Sequence, residues 1–206
     1  MADDRPQIYL VTPRVIDPDS FPDRLAAVLD GAPVACLRLA LAETDEDQIL
    51  RIADALREVA HGRDVPLVIE RHALMVPRLG LDGVHLPRGA AGNLRKLRKD
   101  LGADAILGVD AGASRHDGIT LAEAGADYVA FGPVGETALD RGERAGRALF
   151  DWWSEMIEVP VVAEGALTEA LVADLAPVTD FFAFGAEVWR EPDPLAALRR
   201  LAAPLL

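Results

Sequence analysis

The run PLVIERHALMVPRLGLDGVHLPRGAAGNLRKLRKDLGADAILGVD, residues 66–110, decides the fold. It holds three short apolar segments, PLVIE (66–70), GVHL (83–86) and AILGVD (105–110), separated by stretches of helix length. Each is apolar at successive positions rather than at alternate ones, the pattern of a strand buried on both faces in a parallel sheet. The same alternation extends outward in both directions. Towards the N-terminus lie QIYLVT (7–12) and VACLRLAL (34–41); towards the C-terminus lie DYVAF (127–131), PVVAE (160–164) and FFAF (181–184). Helical patterns fill the gaps: DSFPDRLAAVLDGA, a long helix starting at an N-cap Thr44 with Asp47 as a weak capping-box partner, NLRKLRKDLG, LFDWWSEMI, TEALVADLA and the closing PLAALRRLAAPLL. Eight strand–helix units predict a (β/α)8 barrel of the α/β class, one domain over residues 1–206. An open doubly wound sheet is the alternative, and it normally uses fewer units.

Composition narrows the function classes. The chain has 206 residues, half of them apolar, and a formal charge of −13. A net acidic chain without a basic stripe argues against nucleic acid and against an anionic membrane. No stretch approaches the roughly 20 apolar residues of a membrane span. The acidic start MADDRPQ lacks the basic opening and apolar run of a signal peptide. Cys36 is the single cysteine, which excludes an internal disulfide and a multi-thiolate metal site, so a cytoplasmic protein acting on a small molecule is expected. No GxGxxG, GxxxxGK[ST] or HExxH motif occurs.

A barrel directs attention to the C-terminal ends of its strands, where such folds place their chemistry. Those positions carry Thr12 and Arg14, Arg38, Glu70 with Arg71 and His72, His85, Asp110, Glu136 with Thr137, Glu164 and Glu187. Glu70, Asp110 and Glu164 follow strands three, five and seven. Converging on one mouth, they would raise at least one carboxyl pKa and form an acid–base set with His85. The structural alternative is that Arg38, Arg71 and His85 compensate them. Arg38 is either an anion anchor or an ion-pair partner of Glu70 or Asp110, and His85 has no evident metal partner. Segments Glu164-Gly165-Ala166 and Gly185-Ala186-Glu187 have the small residues of a phosphate cradle, each with a carboxylate attached. The Gly132–Arg147 loop is either a lid or a surface loop. Trp189 is a candidate cap over the mouth, and Trp152 and Trp153 are either core or a contact between copies in a homo-oligomer. The run Arg95-Lys96, Arg98-Lys99 reads as a solvated helix face.

The segments YLVT (9–12), LR (37–38), DGVHL (82–86), ILGV (106–109), GADYVAFGPV (125–134) and PVVAEGAL (160–167), in this order, resemble the thiamine phosphate synthase family, a superfamily that includes thiazole tautomerases. The resemblance runs from about residue 7 to 190. It implies a (β/α)8 barrel and a transferase that joins a hydroxymethylpyrimidine diphosphate to a thiazole phosphate with Mg2+ assistance. Where the family has Gln-Leu-Arg-x-Lys in strand two, this chain has Cys36-Leu37-Arg38-Leu39-Ala40, keeping the arginine. Where the family has Asn-Asp after strand three, the aspartate on Mg2+, this chain has Glu70-Arg71. Pro87-Arg88-Gly89-Ala90 stands in place of Gly-Gln-x-Asp, whose aspartate is the other metal ligand. The family serine beyond strand five aligns with Asp110, and that of strand eight with Gly185. Thr137 is the threonine kept from Thr-x-Thr-Lys, and Gly165 the glycine kept after strand seven. The resemblance thus implies phosphate contacts from Arg38, Thr137, Gly165 and Gly185 and no retained Mg2+ position, and the Arg71 guanidinium is the group that can neutralise phosphate charge where the metal would sit. Three functions stay open: a synthase with rearranged phosphate contacts, a metal-independent tautomerase, and a non-catalytic binding barrel.

Overall fold

The computed structural model describes residues 5–42, 45–136 and 143–205. Eight parallel strands close on themselves in chain order: β1 Gln7–Val11, β2 Val34–Leu39, β3 Leu67–Glu70, β4 Gly83–Leu86, β5 Ile106–Asp110, β6 Tyr128–Phe131, β7 Val161–Glu164 and β8 Phe181–Phe184. The register Gln7↔Phe181 to Leu10↔Phe184 seals β1 against β8. Between and after the strands run α1 Phe21–Gly31, α2 Glu46–His61, α3 Met75–Leu79, α4 Leu94–Leu101, α5 Arg115–Glu123, α6 Arg147–Met156, α7 Glu169–Leu175, a short extra helix α8 Ala186–Trp189, and α9 Pro194–Leu201. The expected (β/α)8 barrel is the fold, and each expected strand lies within a residue or two of its place.

The helices start where side chains can satisfy free backbone N–H groups. Asn93, Ser114, Thr168 and Asp193 accept from the backbone three residues on, at 2.9, 3.1, 3.2 and 3.0 Å. For α2 that residue is Asp45, accepting from Gln48 N at 3.0 Å; Thr44 lies outside the described residues.

Uniformly apolar strands make two cores. One face of each strand, including Ile8, Leu10, Leu37, Leu39, Ile69 and Leu107, packs against the helices. The other face fills the lumen with Tyr9, Val11, Cys36, Ala40, Val68, Tyr128, Ala130, Val162 and Ala183. Cys36 is the buried small residue expected, its thiol pushed up to about 12 by burial.

A repeated aspartate ties the N-terminal end of the barrel. Asp82, Asp127 and Asp180 each precede an even-numbered strand, and each accepts from the first or second N–H of the strand before it. The contacts are Leu67 N at 2.6 Å, Leu107 N at 2.6 Å and Val161 N at 2.8 Å. Arg98 reinforces the second of these, lying 2.5 Å from Asp127. It also donates to the carbonyls of Ala105 and Gly125. Arg98 is therefore a structural clamp and not part of a solvated basic face.

Aromatic side chains settle other expectations. Trp153 is fully buried with its Nε1 donating to Val159 O at 2.8 Å, whereas Trp152 is half-buried under the Arg115 guanidinium at 4.2 Å. Trp189 does not cap the mouth. It packs on Phe21 at 4.9 Å and donates from Nε1 to Val11 O at 2.6 Å, pinning α8 to the end of β1.

Candidate functional site

The sequence-predicted residues gather at the C-terminal end of the barrel, although not in one hollow. A cavity of about 420 Å3 is lined by Arg14, Arg38, Glu136, Glu164, Gly165, Gly185, Glu187 and Arg190, among others. Asp110 faces a separate hollow of about 310 Å3 with Arg88, Gly89 and Asp117. Its carboxylate is also engaged, accepting from Gly112 N at 2.7 Å. The expected convergence of Glu70, Asp110 and Glu164 on one cavity is thus corrected: of the three only Glu164 lines the first cavity, Asp110 is held aside by its turn, and Arg71 and His72, next to Glu70, line a third hollow of about 500 Å3. Thr137 lies outside the described residues, as does part of the Gly132–Arg147 loop.

Arg38 is the centre of the cavity wall. Only 7% exposed, it points inward from β2, and its NH1 group lies 2.8 Å from His85 Nε2 and 2.9 Å from Glu164 Oε2. The ion pair expected of it is real, with Glu164 as partner rather than Glu70 or Asp110. Burial opposes its charge, and Glu164, Tyr9, Tyr128 and Glu70 together more than restore it, so the guanidinium stays ionised. Arg38 Nε is buried without a hydrogen-bond partner. Its guanidinium carbon also lies 5.7 Å from the centre of the Tyr9 ring, a cation–π distance.

Behind Arg38 a buried polar chain crosses the lumen. His85 Nδ1 lies 2.9 Å from the Tyr128 hydroxyl, which lies 2.5 Å from the Tyr9 hydroxyl. His85 is 2% exposed, and burial first, then Arg38, hold its pKa well below 6.5. It is therefore neutral, and it lies behind Arg38 outside the lining of the cavity, which sets it apart from the acid–base candidates. Tyr9 and Tyr128 were not singled out in the sequence. Their inward direction follows from strand alternation, because Tyr128 pairs in register with the inward Gly108.

Glu70 closes the next sector. It is 6% exposed, and its Oε1 lies 3.7 Å from Arg14 NH2 and 3.4 Å from Arg71 Nε, both on exposed side chains. Arg71 has φ 73°, a left-handed conformation that side-chain-bearing residues avoid and that recurs at functional sites. The loop after β4 supplies Pro87 and Arg88. A divalent ion does not fit this donor set: the one buried carboxylate is already flanked by two guanidinium groups. Among the described residues no three His, Cys, Asp or Glu side chains gather as a metal site.

On the opposite wall, Gly165 (φ 89°) and Ala166 (φ 54°) make the turn after β7. Gly165 is required there twice over, since a Cβ would also meet Pro133 at 2.9 Å. Glu187, on α8, projects into the same cavity with its Oε1 buried and unpartnered. Burial raises its pKa, and the backbone N–H groups of Glu187 and Gly185 lower it, with burial prevailing. The N–H groups of the expected cradle thus face one of the protein's own carboxylates.

A sequence profile of the thiamine monophosphate synthase family matches residues 8–187. The chain belongs to that family. It is 38% identical over 195 residues to a thiamine-phosphate synthase of Rhodospirillum centenum, covering 93% of this chain and 94% of that protein. A thiamine-phosphate synthase of Erythrobacter litoralis is 34% identical over 202 residues, covering 95% and 93%. Among solved structures, thiamine phosphate pyrophosphorylase from Pyrococcus furiosus superimposes with a TM-score of 0.83 at 18% identity, covering 97% of this chain and 95% of that one. A 3-hexulose-6-phosphate synthase gives 0.68 at 15% identity over 96% and 99%. At those identities the structural likeness speaks for the shared barrel alone. Among the described residues no helix is long and apolar enough to cross a membrane.

Proposed function

We propose that this member of the family takes phosphorylated compounds of thiamine synthesis into the mouth of its barrel and meets their phosphate groups with guanidinium groups, independently of a divalent ion. The names of its relatives support the ligand class. The observation that carries the metal independence is Glu70 held between Arg14 and Arg71, where the family pattern implies metal-binding chemistry. Guanidinium groups match phosphate oxygens bidentately and stay charged at every physiological pH. Arg38, Arg71 and the backbone at Gly165 and Gly185 are the proposed anion contacts. Loss of pyrophosphate from a diphosphate needs strong neutralisation of the leaving group, and two exposed arginines supply less of it than a bound metal ion.

Glu187 favours a second reading within the same site. A carboxyl with a raised pKa, beside the Arg38–Glu164 pair, is placed to exchange protons with a bound heterocycle, the chemistry of the tautomerase branch. That reaction requires neither metal nor diphosphate departure.

Calorimetric titration with thiamine phosphate and with pyrophosphate, each with and without Mg2+, tests the proposal. Thiamine phosphate binding unchanged within about threefold by Mg2+ is expected. Mg2+-dependent turnover of the two family substrates to thiamine phosphate and pyrophosphate would overturn metal independence and restore the synthase. Absence of binding by either ligand would overturn the ligand class.

A further inference from the structure

We infer that His85 and Tyr128 form a one-directional hydrogen-bond relay whose task is to aim Arg38 into the mouth, which makes them positioning residues for the anionic ligand. The direction follows from chemistry that leaves no choice at its first step. A guanidinium has donors only. At 2.8 Å from Arg38 NH1, His85 Nε2 must therefore be the unprotonated acceptor. A neutral imidazole with a bare Nε2 carries its proton on Nδ1, and that N–H donates to the Tyr128 oxygen 2.9 Å away. Tyr128 then passes its own hydroxyl proton towards Tyr9 at 2.5 Å. Each step of this sequence is a donor facing an acceptor, so the ring orientation of His85 is fixed from behind.

The geometry that permits the relay is a missing side chain. His85, Gly108 and Tyr128 sit level on β4, β5 and β6, since His85 pairs with Gly108 and Gly108 with Tyr128. Tyr128 and His85 are thus two strands apart, and the Tyr128 ring reaches across β5. A Cβ on Gly108 would lie 1.9 Å from Tyr128 Cζ. Glycine at that one position lets the ring lie against the imidazole, nearly parallel at 18° and 5.8 Å between centres. On the mouth side, Glu164 Oε2 takes the same Arg38 nitrogen at 2.9 Å. With an acceptor behind it and a carboxylate in front, the guanidinium is ordered before a ligand arrives, and the entropy of ordering it is spent in folding rather than at binding. An exposed arginine such as Arg14, with its 3.7 Å contact to Glu70, has no such two-sided support.

The inference rests on the proposed phosphate-ester site for its consequence on binding, and its spectroscopic test is independent of any ligand. Three variants separate the roles. His85→Gln offers an amide oxygen where Nε2 was, His85→Leu offers nothing, and Tyr128→Phe removes the acceptor for Nδ1–H. In 15N-resolved NMR spectra of the wild-type protein, His85 is expected as the neutral Nδ1–H form. Slowly rotating Arg38 Nη–H signals should be present in the wild type and His85→Gln, and lost in His85→Leu. Thiamine phosphate affinity should fall at least tenfold in His85→Leu, severalfold in Tyr128→Phe, and within threefold of wild type in His85→Gln. His85 found as Nε2–H or as imidazolium in the wild type overturns the relay, whatever the binding data give. Wild-type affinity in a folded His85→Leu overturns the positioning role. A wild-type protein that binds no thiamine phosphate refutes the proposed function, while the tautomer and the Arg38 signals still decide the relay.

Discussion

Replacing Arg71 by glycine and, separately, by alanine tests the strained turn at the end of β3 and the anion contact made from it. With φ at 73°, residue 71 occupies the left-handed region, where an L side chain costs about 1–2 kcal/mol relative to the right-handed helix region. Glycine escapes that penalty and loses roughly 0.5–1 kcal/mol to its greater freedom in the unfolded chain. The usual order of the two residues therefore inverts here, and Arg71→Gly should be more stable than Arg71→Ala by about 0.5–1 kcal/mol. For a chain of this size that corresponds to roughly 1–4 °C in midpoint temperature. Both variants lose the 3.4 Å contact to Glu70, which on a side chain 56% exposed contributes under about 1 kcal/mol and cancels in the comparison. Ligand binding should separate from stability. A charge-assisted contact to a phosphate contributes roughly 1.5–3 kcal/mol, so both variants should bind thiamine phosphate at least tenfold more weakly than the wild type, and equally so. Urea melts and calorimetric titrations on the same preparations measure the two effects. An alanine variant as stable as the glycine variant would refute the left-handed assignment, and undiminished binding in either would remove Arg71 from the site.

The remaining predictions concern the lumen and the two ends of the barrel. His85 stays neutral when folded but has a pKa near 6.5 when unfolded, so the unfolded chain binds the extra proton as pH falls. Stability attributable to His85 is present above pH 6.5 and lost below it, at up to about 1.4 kcal/mol per pH unit; between pH 7 and 5 the wild type should lose about 2 kcal/mol more than His85→Gln, measured by denaturant titration at each pH. Gly108→Ala drives a Cβ into Tyr128 and should destabilise by about 3 kcal/mol, with Tyr128→Leu in the same chain recovering part of it; strictly additive losses would argue against the contact. Asp127→Ala removes the acceptor of Leu107 N and the partner of Arg98, and should cost about 1–2 kcal/mol, whereas Asp127→Asn keeps one acceptor and should cost about half as much in thermal unfolding.

The barrel is legible in the sequence because both faces of every strand are buried, which writes each one as an unbroken apolar run such as PLVIE or FFAF. Element ends are less legible: Thr44 is the expected cap of α2 and Asp45 fills that place, while Asn93, Ser114 and Asp193 cap their helices without having been read from the sequence. What escaped was information that needs two strands at once. Asp82, Asp127 and Asp180 stand before GVHL, YVAF and FFAF as a repeat visible in the sequence, yet their purpose appears only when each meets the preceding strand's backbone. The sequence offers Arg38 either as an anion anchor or as a partner of Glu70 or Asp110, and does not show Glu164, which reaches it across the lumen from a strand that does not pair with β2. Asp110 was grouped with Glu70 and Glu164 because all three end alternate strands. Its own turn hydrogen bond to Gly112 N turns it aside.

The two ends of the barrel place their charged side chains differently, and the contrast bears on where function lies. At the N-terminal end, charged side chains answer identifiable backbone groups: three aspartates take strand N–H groups, and Arg98 takes two carbonyls. At the C-terminal end, charges face one another and leave atoms unanswered. Arg38 Nε and Glu187 Oε1 are buried without hydrogen bonds, and two residues with side chains, Arg71 and Ala166, hold left-handed backbones. Buried polar atoms without partners each cost on the order of 1–3 kcal/mol, and left-handed residues a comparable amount. Thr179 Oγ1 and the left-handed Asp64 carry the same kind of cost at the N-terminal end, but at the C-terminal end the atoms without hydrogen bonds belong to Arg38, Glu164 and Glu187, which line one cavity where a ligand can complete them. Arg38 Nε asks for an acceptor and Glu187 Oε1 for a donor, so the occupant that relieves both carries an anionic group and a hydrogen-bearing nitrogen or hydroxyl together. A phosphorylated heterocycle meets that description with two separate groups, whereas inorganic phosphate has only its own P–O–H to offer as donor. Weaker binding of phosphate than of thiamine phosphate, with the difference abolished in Glu187→Leu, is the outcome these two unanswered atoms require.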